Sequence, residues 1–145
     1  MGLSSDLAER IEAEWGGSRT VLVAGPANAT ALAEIQDYAS FELSRGYFDF
    51  VARYGGAIVG PYSVYGVGAS EAMGADEASV ITVTARFRAD AWPGAQAGLV
   101  ASMDHAGNPM ILRPDGSVVL ADHDAGWAEE VWPTFDAFLE WCIAR

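Results

Sequence analysis

The chain has 145 residues, of which 51% are hydrophobic, enough to pack one domain and to exclude global disorder. Eight basic residues against twenty acidic ones give a formal net charge of −12. A surface of this sign repels phosphate backbones and anionic membranes and attracts basic proteins, although acidic charge also serves solubility alone. The composition therefore argues against a nucleic-acid-binding or membrane-binding protein.

The apolar segments are short. The longest runs, Val21–Gly25 and Ala97–Ser102, fall far short of the roughly 20 residues that a spanning helix needs. The sequence from Met1 to Asp6 has neither the basic start nor the apolar stretch of a secretory signal. We therefore expect a cytoplasmic protein.

In chain order, the first elements are three predicted helices. Ser5 or Asp6 is the expected cap of the first, and Asn28 is the expected cap of the second. The third is predicted from about Ser44 to Tyr54, where a Gly-Gly pair ends it. Between the first two, Val21–Val23 predicts either a strand or a buried connection. Apolar stripes at helical spacing comprise Leu7, Ile11 and Trp15; Leu32, Ile35 and Tyr38; and Leu43, Tyr47, Phe50, Val51 and Tyr54.

The pattern then changes to strands. Ala57–Val59 and Tyr62–Tyr65 predict two strands joined by a Gly-Pro turn. The glycine-bearing, acidic stretch Gly66–Ala78 predicts a loop. Ser79–Arg88 is ambiguous, because its β-branched residues favour a strand while its apolar spacing also suits a helix.

The last third predicts an antiparallel meander and a closing helix. Three strands, Ala97–Met103, Pro109–Leu112 and Ser117–Asp122, are separated by glycine-containing turns. Thr134 caps a helix with an apolar stripe that includes Cys142. This order predicts one α+β domain over residues 1–145, with helices in the N-terminal half and one closing C-terminal helix packed against a mostly antiparallel sheet.

The candidates for chemistry are weak. Two histidines and several carboxylates could bind a metal or share a proton, in the set Asp104, His105, Asp122, His123 and Asp124. Strand alternation, however, is expected to send Asp122 and His123 to opposite faces. The chain has no HExxH spacing, no hydrolase elbow and no lysine for a P-loop. Cys142 is predicted to be a buried hydrophobe. We therefore predict no enzyme, no catalytic residues, no metal and no cofactor.

Several short landmarks occur in a characteristic order: Phe50–Gly56, Val64–Val67, Met103–Pro109, Pro114–Val118, Asp122–Asp124 and Thr134–Leu139. Together they resemble the SUKH superfamily, which includes fungal Smi/Knr cell-wall regulators and many bacterial immunity proteins. The resemblance covers roughly residues 26–145. One departure is Leu43-Ser44-Arg45, where the family often carries Leu-Pro.

The resemblance implies an immunity protein that neutralises a bacterial toxin, for example a nuclease, by occluding its active site. The alternative is a regulatory or scaffolding protein-interaction module without a toxin partner. The resemblance also favours a helix at Ser79–Arg88. The expected partner is a basic protein toxin, and the chain itself is expected to be a monomer or weak dimer. Because acidic and aromatic side chains cluster there in the sequence, the predicted contact residues are Asp104, Asp122, Asp124, Trp127, Glu129 and Glu130.

Overall fold

The structure is a computed structural model that describes residues 2–73 and 79–145. A six-stranded antiparallel sheet has its strands in chain order, and helices pack against it, so the predicted α+β class is confirmed. The helices are α1 Ser5–Trp15, α2 Arg19–Leu22, α3 Ala29–Ala39, α4 Arg45–Tyr54, α5 Val80–Ala89 and α6 Phe135–Ile143. The strands are β1 Ala57–Val59, β2 Tyr62–Val64, β3 Leu99–Met103, β4 Pro109–Leu112, β5 Val118–Asp122 and β6 Ala128–Trp132.

Polar caps fix where the longer helices begin. In each case a side-chain oxygen accepts a hydrogen bond from a free backbone N–H of the first turn, as expected for an N-cap. The capping residues are Ser4, Asn28, Ser44, Ser79 and Thr134. The cap of α1 therefore precedes the predicted Ser5 or Asp6. Ser79 as a cap confirms the helical prediction for the ambiguous segment, whose residues Val80, Val83 and Phe87 are buried.

Two regions differ from the sequence predictions. Both alternatives for Val21–Val23, a strand and a buried connection, are wrong. Val21 and Leu22 end the one-turn helix α2, Val21 is 40% exposed, and only Val23 makes a bridge, to Ala57. Strand β6 was not predicted. It pairs in register with β5 from Val118↔Trp132 to Asp122↔Ala128.

Aromatic side chains join the helices to the sheet. Tyr47 of α4 is fully buried, donates its hydroxyl proton to the Tyr65 carbonyl at 2.7 Å and meets Phe135 edge-on. Trp132 of β6 packs on Phe138 and Trp141 of α6, with ring centroids 5.2 and 4.9 Å away. These contacts fix the C-terminal end of β6 on α6. The β5–β6 turn lies at the opposite end of the strand.

Within residues 2–73 and 79–145, no helix is long and apolar enough to cross a membrane.

Candidate functional site

A buried asparagine joins the β3–β4 and β5–β6 turns. Asn108 is 0% exposed. Its backbone N–H donates to Asp104 Oδ1 at 2.8 Å, and its side-chain amide donates to Asp104 Oδ2 at 2.9 Å and Asp122 Oδ1 at 3.4 Å. Its own Oδ1 accepts from the His123 backbone N–H at 3.1 Å and contacts His123 Nδ1. The two turns are thus held together by one fully engaged side chain.

Two of the predicted contact residues belong to this network. Asp104 Oδ1 also accepts from the Ala106 N–H at 3.0 Å. Asp122 Oδ1 also accepts from the N–H groups of Asp124 and Ala125, at 2.9 and 3.3 Å. Both carboxylates are half-buried and accept hydrogen bonds from backbone N–H groups of the turns. They therefore stabilise the turns, whether or not they also contact a partner.

Trp127 lies in the β5–β6 turn, immediately before β6, and is 47% exposed. Its ring meets Trp92 edge-on at 5.7 Å and lies 6.5 Å from His123. Trp92 in turn meets Phe87 of α5 at 5.3 Å and His123 at 5.4 Å. Trp127 also has a positive φ of 65°, which a bulky residue rarely adopts. The surrounding rings therefore hold a partly exposed indole in a strained backbone position.

The remaining predicted contact residues lie within three positions of Trp127 in the chain. Asp124 is exposed, with its carboxylate 3.2 Å from His123 Nε2. Glu129 and Glu130 are exposed on β6, opposite Ala121 and Leu120, and as consecutive strand residues they point to opposite faces of the sheet. Val131, which the sequence analysis did not single out, is 48% exposed. We call the exposed set Asp124, Trp127, Glu129, Glu130 and Val131 the acidic β6 surface.

The expectation that Asp122 and His123 lie on opposite strand faces is wrong. Strand β5 ends at Asp122, and His123–Ala125 forms a 3-10 turn. One ligand atom each from Asp122, His123 and Asp124 consequently lies within 4.8 Å of the others. Asp122 Oδ1 already accepts hydrogen bonds from three N–H groups, and Asp124 is exposed. The geometry of the turn alone therefore accounts for the closeness of these three side chains.

His105 and Cys142 also carry groups that could take part in chemistry, and both make contacts within the fold. His105 stacks on Tyr62, with ring centroids 5.2 Å apart, and its Nε2 is 3.3 Å from the Pro61 carbonyl. Cys142 is fully buried, as predicted, and burial raises the pKa of its thiol to about 12. A thiol with that pKa is protonated at neutral pH and therefore a poor nucleophile.

A hollow of about 250 Å³ lies where α4 and α6 begin, lined by residues that include Arg45, Asp115 and Asp136. Desolvation raises the pKa of Asp136. None of the predicted contact residues lines this hollow.

The fold is thus that of a small α+β domain whose antiparallel sheet is covered by helices. A family model described as SMI1-KNR4 cell-wall, SUKH_5, matches residues 5–144, and the chain belongs to this family. A search of curated proteins finds no match. The matched range begins about twenty residues before the region that carried the sequence resemblance. Membership is consistent with an immunity or protein-interaction role.

Proposed function

We propose that this protein binds a basic protein toxin and neutralises it by covering the toxin's active site. The observation that carries the proposal is the buttressed, 47% exposed Trp127 among exposed carboxylates. A tryptophan held in place by its neighbours offers contact area with little loss of side-chain entropy on binding. Carboxylates around it favour a basic partner and speed its approach.

The overall charge supports the same class of partner. A net charge of −12 repels nucleic acid but complements the basic groove with which a nuclease holds its phosphate backbone. Asp124, Glu129 and Glu130 would occupy such a groove in place of phosphates. Inhibition by occlusion requires affinity and shape, and it requires no catalytic group on this chain.

The test combines capture with a toxicity assay. The tagged protein is incubated with lysate of its source, retained polypeptides are identified, and each is expressed in a host with or without this chain. The surface variant carries Asp124→Lys, Glu129→Lys and Glu130→Lys. The control carries Glu9→Lys, Glu34→Lys and Asp37→Lys, at exposed helical sites. Each triple adds three times two charges, so both change −12 to −6.

Support requires a basic polypeptide that is toxic alone, with toxicity relieved by the wild type and the control triple but not by the surface triple. A retained polypeptide that is harmless on its own would contradict the immunity proposal and favour a regulatory or scaffolding module. Equal loss of binding in both triples would show that total charge, rather than the acidic β6 surface, governs binding.

A further inference from the structure

The two edges of the sheet differ in how their backbone groups are satisfied. At the β1 edge, the Ile58 carbonyl accepts a hydrogen bond from Trp15 Nε1 at 2.6 Å. Val23 makes an antiparallel bridge to Ala57, and the Ala24 N–H donates to the Gly56 carbonyl at 2.8 Å. Helix α1 and the segment that follows α2 thus cover this edge and leave little room for another strand.

The β6 edge is open by comparison. β6 pairs with β5 through five consecutive residues without a register shift, whereas the sheet's irregularity lies in β3 between Val100 and Ser102. Over the described part of the chain, no further strand pairs with β6. Natural edges are commonly protected by charged side chains, proline or a bulge, and of these Ala128–Trp132 contains only the charges of Glu129 and Glu130. Alternate N–H and C=O groups of β6 therefore face outward as a template for pairing.

The charges on β6 discriminate between possible strands. Glu129 and Glu130 place one carboxylate on each face, so an added strand meets negative charge on both sides. A second copy of β6 would bring glutamates opposite glutamates, which is destabilising. A strand with basic residues at the facing positions would instead form favourable cross-strand pairs. The edge is thus built against self-association and in favour of a basic segment.

We propose that the partner docks by strand addition, with an extended basic segment pairing along β6 as a further strand of the sheet. Its basic side chains lie opposite Glu129 and Glu130, and flanking apolar side chains pack against Val131 towards one end of the strand and Trp127 towards the other. Backbone hydrogen bonds supply affinity, and the alternating side chains supply selectivity. This inference rests on the proposed function and specifies which part of a basic partner the acidic β6 surface engages.

The probe is an acetylated, amidated hexapeptide with two central arginines between valines, titrated into the ¹⁵N-labelled protein. A matched peptide carries two glutamates in place of the arginines. Two further arginine peptides are N-methylated, one at odd and one at even positions. A strand that pairs through one edge uses only alternate N–H groups, so one methylation pattern removes its donors while the other leaves them intact.

The arginine peptide is expected to shift the β6 amide resonances and slow their hydrogen exchange. The glutamate peptide and one N-methylated peptide are expected to bind about tenfold more weakly, with the other N-methylated peptide nearly unchanged. Equal binding of both N-methylated peptides would overturn strand addition and leave a charge-guided contact, and with it the proposed function, in place. Equal binding of the glutamate peptide would remove the electrostatic basis of both proposals. Failure to shift any β6 resonance at about 1 mM arginine peptide would reject strand addition.

Discussion

Tyr54 donates its phenolic proton to Glu12 Oε2 at 2.7 Å and so links α4 to α1. This hydrogen bond is the main cause of a lowered pKa for the Glu12 carboxyl, with Arg19 adding a second bond at 3.1 Å. Burial, together with the same bond, raises the pKa of Tyr54 to about 12. The phenol therefore remains a donor across the acid and neutral range.

The first prediction concerns the pH dependence of stability. Because the folded state lowers the pKa of Glu12 from 4.5, its contribution to the unfolding free energy is complete above that value. The contribution is lost as the pH falls through the folded-state pKa. Tyr54→Phe keeps the ring contact with Trp15 but removes the bond. Urea unfolding of both proteins between about pH 3 and pH 7 should show a stability difference that shrinks on acidification. A difference that stays constant with pH would contradict this assignment.

The second prediction concerns the asparagine between the two turns. Asn108→Ala should lower the unfolding free energy by about 3 kcal/mol, because Asp104 and Asp122 both lose a donor and the site is buried. Asn28→Ala is the matched control. It removes one exposed N-cap hydrogen bond and should cost about 1 kcal/mol. Equal losses in the two variants, measured by urea unfolding, would show that Asn108 does not organise the turns.

The structural role of Asp104 and Asp122 could not be predicted from the sequence. Their acidity suggested contact with a basic partner, yet both bond to Asn108, which lies 14 residues from Asp122 in the chain. Which side chains become hydrogen-bond partners depends on how the two hairpins pack together. Composition carries no information about that packing. Asp124, Glu129 and Glu130, by contrast, are exposed, and their charge alone predicts that position.

The secondary structure likewise divides into elements that local sequence predicts and elements that it does not. Helix α4 follows from its cap at Ser44, its apolar stripe and the stop at Gly55, all of which are local signals. Strand β6 does not, because Ala128, Glu129 and Glu130 have low strand propensity and pairing with β5 decides their conformation. Val21–Val23 shows the converse, since its apolar residues suggested a strand or a buried connection, whereas Val21 and Leu22 end a one-turn helix.

The third prediction concerns the reactivity of Cys142. Complete burial and a pKa raised to about 12 mean that the native thiol is both inaccessible and protonated at about pH 8. We expect a thiol reagent to modify it only through unfolding, so the labelling rate should follow the urea-dependent population of the unfolded state. Rapid labelling in native buffer, with circular dichroism unchanged, would contradict the burial of this side chain.

The last prediction separates binding from stability at Trp127. Glycine relieves the positive φ of 65°, which offsets the loss of the edge contact with Trp92. Trp127→Gly should therefore change the unfolding free energy by less than about 1 kcal/mol while lowering affinity for the arginine hexapeptide about tenfold. Ala91→Gly is the control, because Ala91 also has a positive φ, of 55°, and lies outside the acidic β6 surface. It should stabilise the protein slightly and leave peptide binding unchanged. If Trp127→Gly instead costs about 3 kcal/mol, as removal of a core tryptophan does, the indole is held for packing and the interface must be sought elsewhere.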